Sequence, residues 1–151
     1  MEDIFQKIDQ DLKEAMKARA EVRLSAIRMI KAALKNRSIE KMGQLSADEV
    51  ISALSSLAKQ RRESIEQFLA AGRTELADKE KQELEVLQEY LPKQLSAEEI
   101  DEIIKAAIAE CGAVSPADIG KVMKIVSPKT KGMADGKAVN QRVKELITPA
   151  S

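Results

Sequence analysis

From Ile100 to Cys111 the apolar residues fall at Ile100, Ile103, Ile104, Ala107, Ile108 and Cys111, the spacing of one face of an α-helix. The same period recurs through Ile4, Phe5, Ile8, Leu12, Ala15 and Met16, and again through Leu24, Ile27, Ile30 and Leu34. It continues through Val50, Ile51, Leu54, Leu57, Ile65, Phe68 and Leu69, then Leu76, Leu84, Leu87 and Leu91. Two short stripes follow, Ile119, Val122, Met123 and Val126, then Val139, Val143, Leu146 and Ile147. Runs of Val, Thr, Tyr and Phe are missing, aromatics make up 2% of residues and Trp is absent, while helix formers dominate. The expected fold class is all-α.

The punctuation between stripes sets the organisation. No Gly or Pro divides the first two, so a bend near Arg19–Glu21 is expected, with one long helix as the alternative. The second helix should end near Gly43. Ser46 with Glu49 reads as a capping box, Gly72 as a C-cap and Thr74 as the next N-cap. In "YLPKQLS", Tyr90–Ser96, Pro92 cannot continue a helix and biases Leu91 away from helical geometry. The boundary is placed there: an N-terminal domain of longer helices (1–91), a linker (92–96) and a small C-terminal three-helix domain (97–151). Within the latter, Ser96 with Glu99 suggests a second capping box and Gly112 a stop. Ser115–Pro116 reads as a start, Ser127–Pro128 as another stop and Asp135 as the last cap. The N-terminal stretch has no apolar signal core, no segment approaches the roughly 20 apolar residues of a span, and a lone cysteine cannot form an internal disulfide. No membrane association and a cytoplasmic location are therefore expected.

The chain has no histidine, which removes Ser–His and Cys–His nucleophile pairs and imidazole metal ligands. Glu63 and Glu66 have the i, i+3 spacing of a di-iron bundle, but that class needs a histidine in the second position. Cys111 continues an apolar stripe and reads as core. The expectation is no catalytic residue, no metal and no cofactor.

Formal net charge is zero, with 25 bases and 25 acids among 151 residues, yet the charges are uneven. Between Met16 and Met42 eight bases face only Glu21 and Glu40, and a second basic region runs from Ala113 onward. Two basic features stand out. In "LAKQRRESIEQF", Lys59, Arg61 and Arg62 form a candidate secondary patch. Arg61 lies where the apolar stripe should continue, so it either packs its stem at the core edge and reaches a carboxylate, or faces an anionic partner. The second feature is "SPKTKGMADG", Ser127–Gly136. Lys121 and Lys124 precede it, Lys129 and Lys131 sit in it, and Lys137 and Asn140 follow. Lysines at a helix C-terminus complement its dipole without any partner. Gly132 permits positive φ, and backbone N–H groups at the next helix start could share a phosphate with the lysines.

"DIGKVMKIVSPKTKGMADGKAVNQRVKELI" resembles the C-terminal module of the GatB/YqeY family, through Gly120, Met123, Lys124, Lys131, Gly132, Ala134, Asp135, Val139, Asn140 and Leu146. Upstream, "RLSAIRMIKAALKN", "KQRRESIEQF" and "EYLPKQLS" look like the freestanding YqeY-type proteins, so the resemblance covers nearly the whole chain. It departs from the family's tail domains at Met133 and Asp135, where more basic or neutral residues are common. The resemblance implies a helical protein whose small C-terminal domain is similar to the tail of the GatB-type component of the tRNA-dependent amidotransferase, a tail that helps hold tRNA. It also brings a label of carbon–nitrogen ligase with glutamine as amido donor, but this chain has neither a catalytic cradle nor an ammonia source of its own.

Two functions are expected on this basis. One is a tRNA-associated accessory protein, working with an amidotransferase or synthetase component, whose contact residues are Lys121, Lys124, Lys129, Lys131, Gly132, Lys137 and Asn140. The other is an adaptor that docks on a larger protein or on itself; the oligomeric state stays open. Near-absence of aromatics argues against reading single-stranded bases by stacking. Asp135 is expected to place its own carboxylate where a phosphate would otherwise sit.

Overall fold

A computed structural model describes residues 4–147, and these form seven α-helices and one 3-10 turn with no strand among them. The chain divides into two compact units between Pro92 and Lys93.

The first unit contains α1 (Ile4–Lys17), α2 (Glu21–Lys41), α3 (Ala47–Ala70) and α4 (Thr74–Gln88). Ile8, Ile27, Ile30, Leu34, Leu54 and Leu87 are fully buried in its core. Each such side chain is stabilised by about 2 to 3 kcal/mol on leaving water. The bend between α1 and α2 forms without Gly or Pro. Arg19 takes φ 55°, and the Ala20 N–H donates back to the Ala15 carbonyl at 3.0 Å. A left-handed non-glycine residue costs about 1 to 2 kcal/mol, offset by the packing of Ala15, Ala26 and Ile27 on the two arms. Tyr90 donates to the Asp11 carboxylate, Lys7 donates to the same oxygen at 3.1 Å, and Arg23 reaches Glu89 at 2.7 Å, so the end of α4 is fastened to α1 and α2.

The capping box at the start of α3 is complete. The Ser46 hydroxyl accepts from the Glu49 N–H at 3.2 Å, and the Ser46 N–H donates to the Glu49 carboxylate at 3.1 Å. Lys41 also donates to Glu49; that bond and the Ser46 bonds hold its carboxyl down to about 2. Gly72 (φ 73°) ends α3 as expected. The expectation that Thr74 caps α4 is corrected. Arg73 occupies that position, because its N–H closes α3 onto the Phe68 carbonyl while its own carbonyl already accepts from Ala77.

The second unit contains α5 (Ala97–Cys111), a 3-10 turn (Pro116–Asp118), α6 (Ile119–Thr130) and α7 (Gly136–Ile147). Ile104, Ala107, Val122, Val126, Val139, Val143 and Ile147 form its core, each stripe contributing the face seen in the sequence. Ser96 accepts from the Glu99 N–H at 3.1 Å, and Gly112 (φ 66°) ends α5. Arg142 on α7 grips Asp101 on α5 through two bonds of 2.7 and 2.8 Å. The expectation that Ser127–Pro128 stops α6 is corrected, since the helix runs through Pro128 to Thr130. Proline there removes only the bond to the Lys124 carbonyl. In the last turn the hydroxyl of the buried Thr130 donates to the Val126 carbonyl at 3.1 Å.

Candidate nucleic-acid interface

The segment Thr130–Met133 is a tight turn. The Thr130 carbonyl accepts from the Met133 N–H at 2.9 Å and from the Ala134 N–H at 3.1 Å. Lys131 has φ −57° and ψ 122°, and Gly132 has φ 76°, the dihedrals of a type II turn, which calls for glycine at its third position. Gly132 is buried. Its carbonyl accepts from the Gln94 side chain at 2.8 Å, and the Met133 carbonyl accepts from the Leu95 N–H at 2.8 Å. Residues 94 and 95 thus clamp the turn from inside the second unit.

This clamp sets the lysines. On α6, Val122, Val126 and Thr130 face the core, which leaves Lys121 and Lys124 on the opposite side, exposed. Lys129 ends the helix and Lys131 sits on the outside of the turn; both are exposed. Among the described residues no carboxylate lies within ion-pair range of Lys124, Lys129 or Lys131. Lys121 differs, since its ammonium lies 3.7 Å from Asp118. The Asp118 carboxylate is itself held below the ordinary range by the Val114 N–H, and further by that of Ser115. At the start of α7, Asp135 accepts from the Lys137 N–H at 3.3 Å, so the helix N-terminus carries the protein's own anion. Lys137 is exposed and Asn140 half-buried. The structure therefore gathers Lys129, Lys131 and Lys137 at the α6–α7 end, with Lys124 about 7.5 Å down the helix from Lys129.

The secondary patch is not brought together. Arg61 turns inward between α3, α4 and α2. Its guanidinium lies 3.3 Å from Glu80 and 3.5 Å from Glu83 and donates to the Met29 thioether. Its side chain is 21% exposed. Burial, and then the charge of Glu80, lift the Glu83 carboxyl above the ordinary carboxylate range against the pull of Arg61. Of the two readings of Arg61, the packed stem with a carboxylate partner is the one observed. Lys59 is exposed, and Arg62 is half-buried with contacts of its own.

The residues that position the turn, Gln94 and Leu95, are not legible in the sequence. Their signal is a pairing across 38 residues, and no local pattern announces it. Among the described residues no group of three or more His, Cys, Asp or Glu is placed to hold a metal ion, and no helix is long and apolar enough to cross a membrane.

The family model for Yqey-like protein matches residues 5–147. The chain belongs to the YqeY-like family. Its resemblance to known proteins extends to curated relatives, all three of the following being described as altered inheritance of mitochondria protein 41, mitochondrial. The Pyrenophora tritici-repentis protein is 31% identical over 148 residues, covering 95% of this chain and 81% of the relative. The Saccharomyces cerevisiae protein is 39% identical over 93 residues, covering 60% of this chain and 50% of its own length. The Candida glabrata protein is 37% identical over 86 residues, or 56% of this chain and 47% of its own. The YqeY-like chain thus spans about half the length of the two yeast relatives in these matches. These names overturn the expectation of a cytoplasmic location. That expectation rested on a missing signal core and a missing span, and neither absence distinguishes the cytoplasm from mitochondria, whose targeting uses amphipathic, Arg-rich segments instead.

Proposed function

We propose that this YqeY-like chain is an RNA-associated accessory protein that holds tRNA by its backbone through the lysines of α6 and the Gly132 turn. The reading includes the mitochondrial setting printed in its relatives' names and a working partner among tRNA amidotransferase or synthetase components. The single observation that carries it is the exposure of Lys124, Lys129 and Lys131, without carboxylate partners among the described residues, around a turn clamped by Gln94 and Leu95. Exposed ammonium groups around an ordered turn suit phosphate contact, which positions an RNA without reading its sequence. Asp135 caps α7, so the reading assigns phosphate contact to side chains rather than to the α7 N–H groups.

Fluorescence anisotropy with total tRNA tests this. Contact with about four phosphates gives log affinity falling against log salt with a slope of about −3 to −4. The Lys124→Glu/Lys129→Glu/Lys131→Glu variant should bind at least about 100-fold more weakly with a flatter slope. Absence of binding at low salt, or equal binding by the variant, excludes the reading.

A further inference from the structure

The outer face of α2 presents a second basic surface of a different kind. Between Val22 and Ile39 the helix carries Arg23, Arg28, Lys31, Lys35 and Arg37 and no acid. Two of the five are neutralised within the unit, Arg23 by Glu89 at 2.7 Å and Lys31 by Asp9 at 2.7 Å. Arg28, Lys35 and Arg37 are exposed, with no carboxylate in ion-pair range among the described residues. Arg28, Ala32, Lys35 and Ile39 fall on one face at helical spacing, opposite the buried Ile30 and Leu34. At its C-terminal end this face carries Ile39, 64% exposed, and Met42, 91% exposed.

Met42 is the sharper observation. It holds the left-handed cap position, φ 63°, with its N–H on the Ile39 carbonyl, although glycine stands next to it at Gly43. Glycine takes that conformation without strain, whereas methionine does not. A strained residue that pushes a large apolar side chain into water, one turn beyond an exposed isoleucine, is a feature of a contact surface.

We propose that the face of α2 from Arg28 to Met42 docks an acidic amphipathic helix of a partner protein. The cations select carboxylates. The small, exposed Ala32 lets a second helix approach along the ridge, and Ile39 with Met42 supplies the apolar anchor at one end. An RNA backbone would meet Arg28 and Lys35 but leave Ile39 and Met42 in water, which is why a protein helix fits better. This face belongs to the first unit and the lysines around Gly132 to the second.

The test uses the full chain, isotopically labelled, and a synthetic helix of about 21 residues, long enough to match α2, built of Glu, Ala and Leu with leucine along one stripe and glutamate beside it. Amide shifts should change along residues 25–42. The Ile39→Ser/Met42→Ser variant should weaken binding at least tenfold while its salt dependence persists. Arg28→Glu/Lys35→Glu should weaken it similarly and flatten the salt dependence. A control peptide of the same composition, with leucines scattered round the helix, should bind at least tenfold more weakly. The proposal is overturned by no shift in residues 25–42, by equal binding of the scattered peptide, or by total tRNA shifting those residues at lower concentration than the peptide. All four substitutions are at exposed positions, and an unchanged far-ultraviolet circular dichroism spectrum confirms the fold.

Discussion

Arg61 and Lys124 are both cations on helices beside an apolar stripe, and they end in opposite environments. On α3, Arg61 continues the line of Ala58 and Ile65 and is carried inward, where Glu80 and Glu83 meet it. On α6, Lys124 lies opposite Val122 and Val126 and is carried outward, where no carboxylate among the described residues answers it. Angular position relative to the stripe, more than local charge density, decides whether a base is structural or available. Charge density alone ranks "KQRR" above "KTKG", and that ranking is the reverse of what the fold offers a partner.

The comparison breaks hardest at Arg61. Arg61→Ala leaves two carboxylates facing each other beside a vacated site, and removal of one partner from a buried ionic cluster costs about 3 kcal/mol. Urea unfolding followed on the Leu54 and Leu87 methyl resonances should show this loss, with tRNA affinity of the folded variant changed by less than about twofold. A variant of full stability that has lost RNA binding would make Arg61 a contact residue after all. The turn responds in the other sense. Gly132→Ala forces a side chain onto φ 76° and should cost about 1 kcal/mol, read on the Val126 and Val139 methyl resonances. It should also weaken RNA binding by misplacing Lys129 and Lys131, with the salt slope retained because no charge is lost.

The smallest effect is in pH. The Glu83 carboxyl is raised, so its contribution favours the fold at low pH and is lost as pH rises through the raised folded value. Glu83→Gln should therefore flatten the decline in first-unit stability as pH rises above the ordinary 4.5. Glu49 works the other way. Held from 4.5 down to about 2, it contributes above its ordinary value and loses that contribution as pH falls towards 2. Thermal unfolding followed across pH should show Glu49→Gln acting below the ordinary 4.5 and Glu83→Gln above it.

The helical class is legible throughout the sequence, because the stripes repeat with the helix period and supply most of each core, although Met16, Leu69 and Leu76 end up exposed and α4 buries Ala77, Val86 and Leu87 instead of its full leucine stripe. Caps built from neighbours in sequence are legible too, as at Ser46, Gly72 and Gly112. The misread positions share a cause. Local preference alone ends α6 at Pro128 and caps α4 with Thr74. In the first case α6 continues until Thr130 is buried, and in the second the Phe68 carbonyl, by closing α3 on the Arg73 N–H, displaces the cap. For the candidate interface, the lysines and Gly132 can be named from the sequence, but not the Gln94 and Leu95 clamp that orders them.

Period, capping residues and composition by themselves determined that this chain is a set of amphipathic helices, with two basic regions and without the histidine that most helical metal and nucleophile chemistry needs. Only the tertiary structure decided which cations are neutralised. An ion pair such as Arg61 with Glu83 or Arg142 with Asp101 joins residues far apart in the chain, and its partners are chosen by how helices pack, not by their spacing along the sequence.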